Sequence, residues 1–312
     1  MKILVTGGAG FIGSHIVDAL LERGHEVHIL DDFSTGKEEN IGREHKLFRM
    51  DVQDPNAAET VRQEAYEVIF HQAAQMDVRR SVANPQFDAR VNILGGLNLL
   101  EAANTAGCRK FIFASSGGTV YGEQVSFPAP ETHPTRPLSP YGIAKLSFEH
   151  YLYYFQQVHN LPYVALRYAN VYGPRQNPKG EAGVVAIFAE RMLNGVQAYI
   201  NGDGLQTRDY VHVADVVVAN MAALENDITG AFNVGTGLET DVVTIFRGIN
   251  AALGNPIAEE HAPAKAGEQR RSVIDPSRLQ QATGWAPEYE FTEGLQQTVE
   301  WFRQQHRSAL PK

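Results

Sequence analysis

Tyr141-Gly-Ile-Ala-Lys145 is the stretch of this chain best suited to chemistry. If a helix begins at Ser139-Pro140, the phenol and the ammonium lie four residues apart on one face. A tyrosine alone titrates far above neutrality. A fixed lysine one turn away favours the phenolate and brings the group toward the range of a working general base. The same spacing arises by chance in many helices, so its meaning depends on what the rest of the chain supplies.

A cofactor is supplied by Thr6-Gly-Gly-Ala-Gly-Phe-Ile-Gly13, which follows an apolar strand pattern and opens a helical one. Gly7, Gly10 and Gly13 allow a tight turn, close approach of backbone to a pyrophosphate, and close packing of helix on strand. The helix start around Phe11, Ile12 and Gly13 offers unpaired N–H groups to phosphates. Asp31 ends the second strand pattern, where a carboxylate can accept bonds from the adenosine ribose hydroxyls. Asp32 stands beside it with no arginine immediately after. Two carboxylates there repel a 2′-phosphate, which selects NAD over NADP.

These residues need a scaffold, and the first half of the chain has the rhythm of one. Strand patterns at Lys2–Thr6, Glu26–Leu30, Lys46–Met50, Val68–His71, Lys110–Ser115 and Tyr163–Tyr168 alternate with helical ones at Ile12–Arg23, Asp54–Glu64, Pro85–Ala106 and Pro140–Val158. That alternation predicts an α/β fold, a Rossmann-type doubly wound parallel sheet covered on both faces. Asn84 is placed to cap a helix that starts with Pro85. After Tyr168 the rhythm changes, with a turn-rich loop from Tyr172 to Gly180 and shorter elements beyond it. The expected division is an NAD-binding domain over 1–169, rejoined by parts of 213–235, and a smaller interleaved C-terminal substrate domain over 170–312.

Composition narrows the partners. The 312 residues carry a net charge of −9, which argues against nucleic acid or a membrane surface as a general partner. The single cysteine, Cys108, fits a reducing compartment and reads as core filler. The chain runs directly into its first strand, and no apolar run reaches transmembrane length, so a cytoplasmic protein is expected. His71 and His212 sit in apolar strand contexts and read as hydrogen-bonded structural residues. No histidine spacing suggests a metal site.

With these residues assembled, the chain resembles the extended short-chain dehydrogenase/reductases, and among them the UDP-glucose (UDP-galactose) 4-epimerases. The resemblance runs essentially end to end, through the glycine turn, Asp51-Val52, His71-Gln-Ala-Ala74, Asn92, Ser115-Ser116, Tyr141-x-x-x-Lys145, Arg167-Tyr-Ala-Asn170 and Arg208-Asp-Tyr-Val-His212. It implies that Asp51 and Val52 flank the adenine and that Gln72, Ala73 and Ala74 line the far side of the cofactor, with Asn92 and Ser115 close by. Tyr168 would approach the nicotinamide. Ser116 would bond the reacting oxygen and Lys145 the cofactor ribose. Asn170 and Arg208 would hold the phosphates of a UDP-sugar, with Lys265 and Glu268 completing that region. A cation is needed there on physical grounds as well, because two phosphates enter an acidic protein; the alternative for Arg208 is an ion pair with Asp209.

Three positions depart from the family pattern. Ala114-Ser-Ser-Gly-Gly-Thr119 is one residue longer than the common form, so alignment from the strand puts Ser116 at the catalytic hydroxyl, with Thr119 in reserve, while alignment from Tyr121 puts Gly117 there. Lys265 stands where the family usually has arginine, and it lacks the bidentate fork. Met76 replaces a lysine that some members place near the nicotinamide. Ser272 matches a position where a bulky residue is linked to excluding N-acetyl sugars.

The expected activity is reversible inversion at C4 of UDP-glucose and UDP-galactose, with Tyr141 as base. Rivals are 4-epimerases of UDP-GlcNAc or UDP-glucuronate, a nucleotide-sugar 4,6-dehydratase, and a non-catalytic NAD-sensing protein. The dehydratase is disfavoured because Gly-Gly-Thr119, rather than an acid pair, precedes Val120-Tyr-Gly122. By resemblance, the helices near Pro85–Ala106 and Pro140–Val158 would pair into a homodimer interface.

Overall fold

The structure is a computed structural model that describes residues 1–42, 45–179, 183–254, 257–265 and 269–309. Its first part runs β1 (Lys2–Thr6), α1 (Phe11–Glu22), β2 (Glu26–Asp31), β3 (Lys46–Arg49), α2 (Pro55–Glu64), β4 (Val68–His71), α3 (Val78–Ala83), α4 (Pro85–Ala89), α5 (Gly96–Thr105), β5 (Lys110–Ser116), α6 (Pro140–His159) and β6 (Tyr163–Tyr168). The remainder runs β7 (Asn170–Tyr172), α7 (Val184–Leu193), β8 (Tyr199–Asn201), β9 (Thr207–Arg208), β10 (Tyr210–His212), α8 (Val213–Glu225), β11 (Gly230–Val234), β12 (Thr240–Asp241), α9 (Val242–Leu253), β13 (Glu260–Ala262), β14 (Arg271–Ser272), α10 (Ser277–Thr283) and α11 (Phe291–Ala309).

Seven strands form one parallel sheet in the order β11-β6-β5-β4-β1-β2-β3. Strand side chains alternate between faces, so each strand feeds two cores. Ile3 and Val5 of β1 pack with Ile16, Val17 and Leu20 of α1 and Val216 of α8 on one face. Leu4 packs with Leu99, Leu100, Phe111, Phe113 and Phe148 on the other, under α2, α5 and α6. This two-sided burial makes the sheet of a Rossmann-type α/β fold rigid where its strands end. The order reverses between β4 and β1, which opens a crevice at their carboxyl ends, the usual place for a ligand in such sheets.

A third core joins α7, α9 and α11 through Phe188, Ile245, Phe246, Val299 and Phe302. Short strand pairs tie that layer to the main sheet. Asn170 pairs with Tyr210 in β7–β10, and Arg208 of β9 lies between Thr240 of β12 and Ser272 of β14.

Two expected elements differ in detail. The helical pattern over Pro85–Ala106 is α4 and α5 joined by a π-helical turn at Arg90–Gly95, and the separate helix α3 precedes it. Asn84 does cap α4, accepting from Phe87 N at 3.0 Å. The helix expected from Val216 begins three residues earlier, at Val213, because His212 caps it by accepting from Ala214 N. Among the described residues no helix is long and apolar enough to cross a membrane, and no group of three or more His, Cys, Asp or Glu is placed to hold a metal.

Candidate active site

The glycine turn lies on the crevice between β1 and β4. Gly7 has φ +67°, and a Cβ there would meet Ala73 N at 2.7 Å, so backbone from β1 and β4 approaches as closely as glycine permits. A Cβ on Gly13 would overlap the carbonyl oxygen of Gly7. Gly10 begins α1 without any side-chain cap, and the first turn carries no acid. The N–H groups of Phe11, Ile12 and Gly13 are therefore the leading end of an uncapped helix, a favourable seat for an anion.

Asp31 closes the next strand. Its carboxylate accepts from Ala9 N at 2.9 Å and from Phe33 N at 2.8 Å, and burial pushes its pKa up. Asp32 accepts from Ser34 N at 2.9 Å and stays exposed. The carboxyl of Asp51 is turned onto Gln53, accepting from its backbone N at 2.8 Å, and Val52 is buried against Gly95. On the β4 side, Gln72 accepts from the Tyr168 hydroxyl at 3.4 Å, and its Nε2 is buried with no partner among the described residues. Ala73 N donates to Thr6 Oγ1 at 3.3 Å, and Ala74 follows in the same loop. The pieces fit a dinucleotide: an uncapped helix, a cradle that a Cβ would fill, an acid beside it and an orphaned amide donor.

Two of the expected cofactor contacts are committed elsewhere. Asn92, in the π-helical turn, accepts from Gln75 N and donates to Gln75 O, both at 2.9 Å, so its side chain shapes the loop after β4. Ser115 donates to Glu149 Oε1 at 2.5 Å, which leaves its backbone as the part available to a ligand. The Tyr168 hydroxyl accepts from Asn220 Nδ2 at 2.8 Å, and burial raises its pKa to about 12, so it stays a neutral phenol.

Tyr141 and Lys145 stand on the first two turns of α6, which starts at Ser139 with a hydroxyl cap on Gly142 N. Lys145 is buried, donates to Ala114 O at 2.8 Å and lies 4.7 Å from the Phe113 ring centroid and 5.7 Å from that of Tyr141. Burial lowers its pKa to about 7, while Asp88 and Glu149 act in the opposite direction. Ser116 ends β5 in register with Tyr168. Gly117 has no room for a side chain, since a Cβ would meet Ile274 Cδ1 at 2.6 Å. Thr119 Oγ1 is buried without a partner among the described residues, and its carbonyl packs beneath Gly142.

The anion-binding end is built on the short strands. Asn170 N donates to Asp209 O at 2.9 Å, which sets Asn170 beside Arg208. Asp209 is not the partner of Arg208. Its buried carboxylate accepts from Thr236 N, Thr236 Oγ1 and Gly237 N at 2.9, 2.7 and 3.1 Å and holds that turn. Arg208 donates to Thr207 O at 2.7 Å and makes no ion pair among the described residues. Ser272, its register partner, is buried. Lys265 is exposed, and Glu268 lies outside the described residues. His71 bonds Thr6 Oγ1 at 2.8 Å and burial drops its pKa to about 3, while His212 stacks on Tyr289 at 4.2 Å; both are structural.

Asp88 was not singled out by the sequence. A lone acid in a helix reads as a surface charge, yet it is buried on α4, which packs against α6, and the Lys145 charge acts on it. The signal available was its position one turn before Asn92, to which it is bonded at 3.0 Å.

Comparison with known proteins agrees with this geometry. The model of the NAD dependent epimerase/dehydratase family matches residues 3–235. The solved UDP-glucose 4-epimerase of Thermotoga maritima, with UDP-glucose, is 48% identical with a TM-score of 0.96, over 98% of this chain and 100% of that one. The Thermus thermophilus UDP-glucose 4-epimerase, in complex with NAD, is 47% identical with a TM-score of 0.92, over 97% and 99%. A UDP-glucose 4-epimerase of Mycolicibacterium smegmatis is 45% identical over 97% of this chain and 99% of its own length. The chain belongs to the NAD dependent epimerase/dehydratase family, within the extended short-chain dehydrogenase/reductases.

Proposed function

We propose that the chain is an NAD-dependent 4-epimerase of UDP-hexoses that interconverts UDP-glucose and UDP-galactose. The observation that carries this reading is the Tyr141–Lys145 pair at the start of α6. The uncapped glycine turn after β1 and Arg208, which makes no ion pair among the described residues, accompany it. Similarity to UDP-glucose 4-epimerases over nearly the whole chain supports it.

In this reading the N-terminus of α1 would hold the pyrophosphate of NAD and Asp31 its adenosine ribose. Asp51, Val52 and the loop Gln72–Ala74 line the rest, and Lys145 holds the nicotinamide ribose. NAD held there would supply reversible hydride transfer at C4, with no net change in its oxidation state over a turnover. Tyr141, as phenolate, removes the proton from the C4 hydroxyl and later returns it. The Lys145 ammonium favours that phenolate, and Ser116 bonds the reacting oxygen. The 4-keto sugar turns over in the site between the two transfers, which exposes its opposite face. Arg208 and Asn170 hold the diphosphate throughout, with Lys265 at the rim and Glu268 nearby.

The division that fits this chemistry is a cofactor domain over 1–169 with parts of 213–235, and a nucleotide-sugar domain over 170–312. A homodimer is supported by α6, where Ile143, Tyr151, Tyr154 and Val158 are exposed along one stripe, beside exposed Leu94. The cytoplasm and galactose metabolism are the setting such an enzyme implies. A second reading, turnover of UDP-GlcNAc, is favoured by the small Ser272 next to Arg208.

The test is Tyr141→Phe. Turnover should fall by about 10²–10⁴-fold while NAD stays bound; a near-normal rate removes Tyr141 as the base.

A further inference from the structure

Asp88 and Lys145 are two buried charges, and the proposed chemistry uses only the second. Asp88, on α4, is 1% exposed. Its Oδ1 accepts from Gln75 Nε2 and Asn92 Nδ2, both at 3.0 Å, while Oδ2 is buried with no partner among the described residues. Lys145 is 2% exposed on α6, which packs against α4. Its one hydrogen bond among the described residues, to Ala114 O, leaves two N–H donors on the ammonium.

The other groups that act on Lys145 are already balanced. Glu149, one turn further along α6, accepts from Arg167 Nε and Nη2 at 3.0 and 2.6 Å and from Ser115 at 2.5 Å. Its charge is therefore cancelled by a guanidinium. His71, on β4, is neutral and bonded to Thr6. Tyr141 adds charge only when ionised. Asp88 receives neutral amides alone, so it is the anion near Lys145 that has no other cation among the described residues. Burial opposes the charge on both groups. A neutral carboxylic acid would bury an Oδ2–H with no acceptor, and a neutral amine would leave the Asp88 charge unanswered.

We propose that Asp88 is the countercharge that favours the ammonium form of Lys145, and that through Lys145 it sets the pH range in which Tyr141 works as a base. The second half rests on the epimerase reading; the first rests on the burial of both groups, the unpartnered Oδ2 and the packing of α4 on α6. Asp88 touches no reacting atom in this account and acts only through the lysine.

The direct test is a titration followed by NMR on the full chain labelled with ¹³C at lysine Cε, with Lys145→Arg assigning the Lys145 signal. In Asp88→Asn, which retains the Oδ1 acceptor, the Lys145 midpoint falls by about one unit or more, and Asp88→Glu restores it. An unmoved midpoint in Asp88→Asn overturns the proposal. Should that variant fail to fold, the pair is read from its other side. Coupling is reciprocal, so Lys145→Met raises the Asp88 carboxyl midpoint, followed at aspartate ¹³Cγ, and an unmoved Asp88 is equally fatal. In the active enzyme the alkaline limb of kcat moves down in Asp88→Asn by the shift seen in NMR. A limb that stays put while the midpoint moves removes the link to Tyr141. Absence of turnover in the unmodified protein counts against the epimerase reading and leaves the pair standing.

Discussion

Lys145 Nζ lies 5.7 Å from the centroid of the Tyr141 ring and is anchored to Ala114 O, so a buried amine is held beside the phenol. Holding it there has a consequence for stability. Burial lowers the folded-state pKa of Lys145 from 10.5 to about 7. Between those values the unfolded chain keeps a proton that the folded one has lost, so this group makes stability rise with pH, by at most about 1.4 kcal/mol per unit. The stability of Lys145→Met relative to the unmodified protein should therefore be higher at pH 6 than at pH 9, as read from urea midpoints. An equal effect at both pH values would contradict the depressed pKa.

Arg208 and Ser272 are paired on neighbouring parallel strands, and Arg208 has no acid of its own among the described residues. Paired positions put their side chains on the same face. Arg208→Ala should raise KM for a UDP-sugar by about 10–100-fold with NAD content unchanged, since a charge-assisted bond to phosphate is lost. Ser272→Tyr should depress turnover of UDP-GlcNAc more than that of UDP-galactose. Equal losses for both sugars would mean that this side chain does not face the sugar.

The exposed stripe on α6 gives a third expectation. Placing a charge there by Tyr154→Arg should shift the protein from dimer to monomer in light scattering, with its circular dichroism unchanged. A monomeric unmodified protein would contradict the assembly outright.

Much of the cofactor half is legible in the sequence because its signals are local. Buried parallel strands such as β1 read as continuous apolar runs, and the caps at Asn84 and Ser139 announce their helices. The π-helical turn at Arg90–Gly95 escapes, since the glycines Gly95 and Gly96 that let it pack on Val52 and Phe148 carry no helical period. The strands β9, β12 and β14 have two residues each and exist only through their partners, so no local pattern marks them. For the same reason the sequence leaves Arg208 a choice between Asp209 and a ligand. Only the turn at Thr236–Gly237, which occupies Asp209, decides it.

The central claim is tested most directly by the reaction itself. Purified protein is given UDP-galactose, UDP-glucuronate and UDP-N-acetylglucosamine in turn, without added NAD, and the products are resolved. The account predicts that UDP-galactose is converted to UDP-glucose in an equilibrium reached from either side. No 4-epimer from any of the three would contradict it.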